Sequence, residues 1–311
     1  MHRLVTRSDF DGLVCAMLLK QRGLIDDVFF VHPKDVQEGR VEITANDITT
    51  NLPYRPEAHL VFDHHVSEVL RNGRAHANYV IDPDAPSAAR VVYRHYGGAA
   101  TFPGISTELM DAVDRADSAH YRIDEILAPD GWALLNFVMD PRTGLGRFHD
   151  FRLSNYELMM ELIDYCLVHP VKDVLALPDV AERVSLYRRH AGPFREQLRR
   201  CTTLRGTVAV VDLRGEETIF AGNRFVLYAL FPGAAVSVHV LWGRNRQNTV
   251  LAVGKSILNR TGTIDIGSFL FERFGGGGHP NAGTCQVPHE KAAETLATIV
   301  AALNARAAGA A

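Results

Sequence analysis

Two carboxylates one residue apart, Asp9 and Asp11, stand in the segment SDFDG, between an apolar run and a helical one. In a turn, each can present oxygens to a hard cation, and Gly12 lets the backbone pass tightly into the helix. A helix N-cap is the competing reading of such an Asp. Asp63-His64-His65 follows the apolar run HLVF. Two adjacent imidazoles behind a buried strand must each satisfy their ring nitrogens. Neutral imidazole is a common ligand of Mn, Fe, Co and Zn, and a neighbouring Asp can fix its tautomer. Satisfied loop histidines would read the same way.

Two isolated acids fall at expected element ends: Asp47 after VEIT, and Asp117 after STELMDAVDRA. Each alone reads as a turn or cap residue. Taken together, Asp9, Asp11, Asp47, His64 and Asp117 would form a mixed oxygen and nitrogen cage. That mixture suits Mn²⁺ better than thiolate-loving Zn²⁺ or all-oxygen Ca²⁺. Near the end of the chain, GGGGHPNAG (residues 275–283) brings four glycines up to His279. Consecutive N–H groups there can form an anion nest, and His279 can donate to a phosphate oxygen.

The elements that must position these groups follow from the apolar pattern. Short strands are expected at Leu4-Val5, Val28–Val31, Val41–Thr44, His59–Phe62 and Tyr79–Ile81. Helices are expected at Ser87–Tyr96, Thr107–Ala116 and Tyr156–Leu167. Alternation of this kind predicts an α/β fold with a parallel sheet and helices on both faces, whose ligands bind at the carboxyl ends of the strands. Residues 173–204 are polar and Arg-rich, and Gly192-Pro193 suggests two connecting helices there. From Gly206 a smaller α/β unit starts afresh: strands in TVAVVDL, AVSVHVLW, NTVLAVGKSI and TCQV, with helices in NRFVLYALF, DIGSFLFERF and from Glu290.

Composition narrows the function class. The chain's 311 residues suggest about two domains, and 47% apolar with 22% charged residues excludes intrinsic disorder. A net charge of −3 argues against gripping long duplex DNA by charge alone. Basic residues comprise 5 Lys and 28 Arg, an imbalance that base composition explains and that phosphate handling would also favour. Cys15, Cys166, Cys201 and Cys285 are scattered without a CxxC pair, which points to a reducing compartment and no zinc ribbon. The opening residues carry no signal-peptide core, so a cytoplasmic location is expected. The apolar stretch 225–242 is interrupted by Pro232-Gly233 and reads as a buried helix and strand, with no membrane span. An apolar helix such as Tyr156–Leu167 leaves a homodimer and a monomer equally open.

The ordered set of Asp9/Asp11, Asp47, Asp63-His64-His65, Asp117 and GGGGHPNAG resembles the DHH phosphoesterase superfamily, in its subgroup with a DHHA1 domain. Its nearest flavour is the exopolyphosphatase-related and nanoRNase/pAp-phosphatase members, and the likeness runs from residue 4 to about 287. It implies a metal-binding catalytic domain over residues 1–180, a helical linker over 181–204 and a substrate-binding domain over 205–311, with an active-site cleft between the domains. One or two Mn²⁺ ions are implied, with Co²⁺ or Mg²⁺ as substitutes. Asp9 and Asp11 would bind separate ions, Asp47 would bridge them, and His64 and Asp117 would complete the second site. His65 would face the reacting phosphate beside Asp63. Gly277, Gly278 and His279, with Asn259 and Arg260, would hold the substrate. One departure stands out: the superfamily's usual histidine, four or two residues before the first Asp, is replaced by Val5 and Arg7. Valine has no donor atom and arginine stays protonated, so one ion loses a ligand. Arg7 could instead supply a fixed charge near the phosphate.

The implied reaction is metal-assisted hydrolysis of phosphoester bonds in short oligonucleotides, linear dinucleotides or pAp. Exopolyphosphatase or pyrophosphatase chemistry is the alternative within the class. A non-catalytic nucleotide-binding regulator is the alternative outside it.

Overall fold

The computed structural model describes residues 1–307. The chain packs as two compact units, Met1–Leu186 and Tyr187–Ala311. In the first unit the strands are β1 (His2–Arg7), β2 (Ile25–Val31), β3 (Asp47–Thr50), β4 (Leu60–Asp63) and β5 (Tyr79–Ile81). They form one sheet in the order β2-β1-β3-β4-β5. Every pairing in it is parallel. Its helices are α1 (Phe10–Gln21), α2 (Pro33–Gln37), α3 (Val66–Asn72), α4 (Ala88–His95), α5 (Thr107–Asp117), α6 (Ile123–Leu127), α7 (Gly131–Met139), α8 (Asn155–Val168), α9 (Val171–Ala176) and α10 (Pro178–Cys201).

Helix α1 is buried along Phe10–Leu19 and packs against α4, α5 and α8. A helix apolar on all sides must be covered on all sides, and this one is the internal support of the site. Its start is anchored by Asp9, whose side chain accepts from the Gly12 N–H at 3.0 Å. A Cβ on Gly12 would stand 2.0 Å from the carbonyl oxygen of Arg7, so only glycine lets the helix begin this close to the end of β1. Inside the sheet, Thr6 and Thr50 share a buried hydroxyl contact of 2.6 Å that ties β1 to β3.

The stretch Val41–Thr44, expected as a strand, is a loop. Ile43 is buried against Val5, Leu52 and Val61, so its apolar side chain packs without strand pairing. Thr44 closes a turn, accepting from the Asp47 N–H at 3.0 Å. The strand begins after that turn, at Asp47, and all four of its residues are buried.

Helix α10 runs unbroken through Pro193 where two helices were expected, and the division between the units falls within it. The second unit holds β6 (Thr202–Arg205), β7 (Val208–Asp212), α11 (Val226–Leu230), β8 (Val236–Trp242), β9 (Thr249–Lys255), α12 (Ile266–Phe274), β10 (Gly277–His279), β11 (Ala282–Val287) and α13 (Ala292–Ala307). Its mixed sheet has the order β10-β11-β9-β8-β7-β6, with β7 and β8 parallel. Its core joins Val238, Val240, Leu251 and Val253 of the sheet to Leu270, Ile299 and Leu303 of the helices. The apolar stretch 225–242 divides into α11 and β8, and no helix among the described residues is long and apolar enough to cross a membrane.

Candidate metal centre

The carboxyl ends of β1 and β4 and the last turn of α5 bring Asp11, His64 and Asp117 together. One donor atom from each lies within 4.8 Å of the others. His64 is oriented by its Nδ1, 3.1 Å from the carbonyl oxygen of Ala85. A carbonyl can only accept, so Nδ1 carries the hydrogen and, in the neutral ring, Nε2 keeps its lone pair. That nitrogen lies 2.9 Å from Asp117 Oδ2 yet has no hydrogen-bond partner of good geometry and is buried.

Asp11 is held from several sides. Its Oδ1 accepts from the Ala89 N–H at 2.8 Å, and its Oδ2 accepts from the Ala88 N–H at 3.1 Å and from Asn51 Nδ2 at 2.8 Å. Burial pushes its carboxyl well above the ordinary range, and the charges of Asp117 and Asp9 push the same way. Asp9 is raised as well, by burial opposed by Arg7. For Asp117, burial acts upward, but the neighbouring His64 prevails and holds the carboxyl below its ordinary value. For His64, burial acts downward, while Asp117, Asp11 and Asp63 outweigh it and lift the ring to about 9. Clustered carboxylates and a buried imidazole thus demand positive charge at one point. A proton on His64 meets part of that demand, and a divalent cation coordinated by one nitrogen and carboxylate oxygens fits it.

Beside this cluster, Asp63 is almost fully buried, and its Oδ1 accepts from the His64 N–H at 2.8 Å. The same oxygen lies 2.8 Å from His65 Nδ1, which fixes that ring and leaves Nε2 as its other nitrogen. One donor atom from each of Asp63, His64 and His65 also lies within 4.8 Å of the others. Arg7, at the end of β1, places Nε 2.8 Å from Asp9 Oδ2. Val5 is wholly buried in the apolar core and takes no part.

Asp47 does not join the cluster. It opens β3, opposite Arg3 in the register, and is therefore at the amino end of the sheet. Arg3 Nε donates to its Oδ1 at 2.7 Å and Nη2 to its Oδ2 at 3.0 Å, and Thr44 adds two further bonds. Burial would raise this carboxyl, but those donors keep it below its ordinary value. The end of β3 that faces Asp11 is occupied by Asn51, in the left-handed region at φ +55°. Its Nδ2 must face Asp11, since the reverse orientation would set oxygen against carboxylate, and its Oδ1 is buried without a partner.

No protein-family model and no curated protein matches the chain. Among solved structures, a pGpG-specific phosphodiesterase, PggH from Vibrio cholerae, is 53% identical with a TM-score of 0.88, over 98% of this chain and 100% of that one. The chain belongs to the DHH phosphoesterase superfamily. It is a phosphoric ester hydrolase with the two-part α/β fold of that superfamily. An exopolyphosphatase-related protein from Bacteroides fragilis shares the fold at 13% identity and a TM-score of 0.56, over 98% of this chain and 93% of that one. CDC45 from Entamoeba histolytica does so at 8% identity and a TM-score of 0.55, over 96% and 94%.

The DHH motif itself is Asp63-His64-His65, at the end of β4. In the second unit, the expected substrate residues lie on two adjoining segments. Lys255 N–H donates to Asn281 O at 2.9 Å and Ile266 N–H to Pro280 O at 3.1 Å, so the end of β9 and the start of α12 both hold the turn after β10. Asn259 Nδ2 donates to Gly233 O at 3.2 Å and Arg260 Nε to Ile257 O at 3.1 Å. Gly277, Gly278 and His279 are not a loop: they form β10, paired antiparallel with β11. Gly278 has φ +153°, and a Cβ there would meet the Ala282 carbonyl oxygen at 2.3 Å. The glycines therefore serve a tight hairpin as well as any ligand. His279 is exposed at its tip.

Asn51 is the residue that sequence reasoning missed. No charge marks it in the sequence, and only the pairing of β3 with β1 brings it to Asp11.

Proposed function

We propose that the chain is a divalent-cation-dependent phosphodiesterase of short linear nucleotides, with the dinucleotide pGpG as its foremost substrate and Mn²⁺ as its ion. The observation that carries this reading is the buried Nε2 of His64, turned by the Ala85 carbonyl toward Asp11 and Asp117. The 53% identity to a pGpG-specific enzyme supports the substrate class.

When bound, such an ion makes water acidic enough to attack at neutral pH and draws charge from phosphate oxygens. The protein's own groups do the rest. Asp11, His64 and Asp117 would hold the ion. Asp63 holds a hydrogen on His65 Nδ1, so the other ring nitrogen is the one that takes up a proton and, once it carries that proton, donates to a phosphate oxygen. In the second unit, Gly277, Gly278, His279, Asn259 and Arg260 are the groups we assign to the nucleotide. Mixed oxygen and nitrogen donors favour Mn²⁺, with Co²⁺ or Mg²⁺ as substitutes.

The test is a hydrolysis panel with Mn²⁺ present: pGpG, other linear dinucleotides, cyclic dinucleotides, pAp, pyrophosphate and polyphosphate. Cleavage of pGpG well ahead of the rest, abolished by chelation, is expected. Turnover of pyrophosphate or polyphosphate with no turnover of dinucleotides would replace this reading with phosphoanhydride hydrolysis. Nucleotide binding without any turnover would make the chain a regulator.

A further inference from the structure

Metal-ligating side chains converge on one side of Asp11 and not on the other. On the first side stand His64 and Asp117. On the other side, Val5 is sealed in the core and Asp47 is committed to Arg3 at the far end of the strand. Asn51 meets Asp11 with an amide N–H, which occupies one lone-pair direction of the carboxylate and offers no negative charge in return. Asp9 remains, and its Oδ1 accepts from Gly12 N–H while its Oδ2 faces Arg7. A second cation at Asp9 would lie against a guanidinium that cannot lose its proton.

We propose that this chain works with a single divalent cation, and that the Arg7 guanidinium, anchored by Asp9, takes the place of a second ion as the positive charge facing the substrate phosphate. The charge of Arg7 reaches both Asp9 and Asp117, so it already acts on the cluster. Arg7 meets Asp9 through Nε, and a guanidinium held that way has two terminal nitrogens able to donate to phosphate oxygens. This inference rests on the metal-centre reading above.

The experiment counts ions. Full-length protein is saturated with Mn²⁺, stripped of loose metal by gel filtration, and analysed by elemental analysis and native mass spectrometry. One ion per chain is expected. Two ions per chain would overturn this inference while leaving the metal centre standing, whereas none would overturn the centre itself. Arg7→Ala is expected to retain the single ion and to lose at least ~10²-fold in kcat, the scale of removing a major electrostatic contributor. Unchanged turnover in that variant would remove Arg7 from the reaction. The double variant Arg7→His with Asn51→Asp is expected to take up a second ion. If it folds and still binds one, Arg7 and Asn51 are not what excludes the second. The count on the unaltered protein decides the matter even if that variant does not fold.

Discussion

Strand β1 carries an arginine near each end, and each is paired with an aspartate: Arg3 with Asp47, Arg7 with Asp9. The two arginines are about 13 Å apart along the strand at the usual rise per residue. The chemistry of the pairs is the same, but their surroundings differ. Asp47 receives donors on both oxygens from Arg3 and Thr44 and lies below its ordinary pKa. Asp9 sits beside Asp11 and Asp117 and lies above it. A saturated carboxylate at the amino end of a parallel sheet locks a loop to a strand. An under-compensated one at the carboxyl end belongs to a centre that demands positive charge, in line with where open α/β sheets bind ligands.

The largest effect that would break this contrast comes from the carboxyl end. His64→Ala should lower kcat by at least ~10²-fold and abolish retention of Mn²⁺, with thermal unfolding still cooperative. A variant that kept its turnover and its ion would show that the ring does not hold the cation. Next comes acidity. The cation must displace the proton from His64, whose ring stays protonated up to about 9. Cation affinity of the metal-free protein should therefore fall about tenfold for each pH unit below that value, as read by calorimetric titration. Flat affinity would mean that His64 is not a ligand. The linked stability runs the other way: because the folded pKa is raised from 6.5 to about 9, the contribution of His64 to the metal-free protein is complete below 6.5 and lost as pH rises through 9. The smallest effect is expected at the amino end. Asp47→Ala should cost about 1.5–3 kcal/mol in denaturant unfolding, the range for hydrogen bonds to a charged group, and leave kcat unchanged. A large loss of turnover there would return Asp47 to the centre.

The carboxyl-end motifs were legible because Asp9-Phe10-Asp11-Gly12 follows β1 after one intervening residue and Asp63-His64-His65 starts on the last residue of the apolar β4. It misplaced Asp47 because VEIT has strand composition. Only tertiary packing reveals that Ile43 is buried from a loop and that Thr44 turns the chain before the true strand begins. Asn51 went unread because an amide carries no charge to mark it. Its role depends on the register that sets β3 beside β1, which is a long-range fact. The glycine run read as a nest became β10, since backbone pairing to β11 competes for the same N–H groups.

The backbone amides of Ala88 and Ala89, with the amide of Asn51, already steady both oxygens of Asp11. That carboxylate therefore does not need an ion to find its place. A divalent cation could then leave and return at a site whose walls stand without it, so its supply in the surrounding medium would switch turnover on and off without any unfolding of the chain.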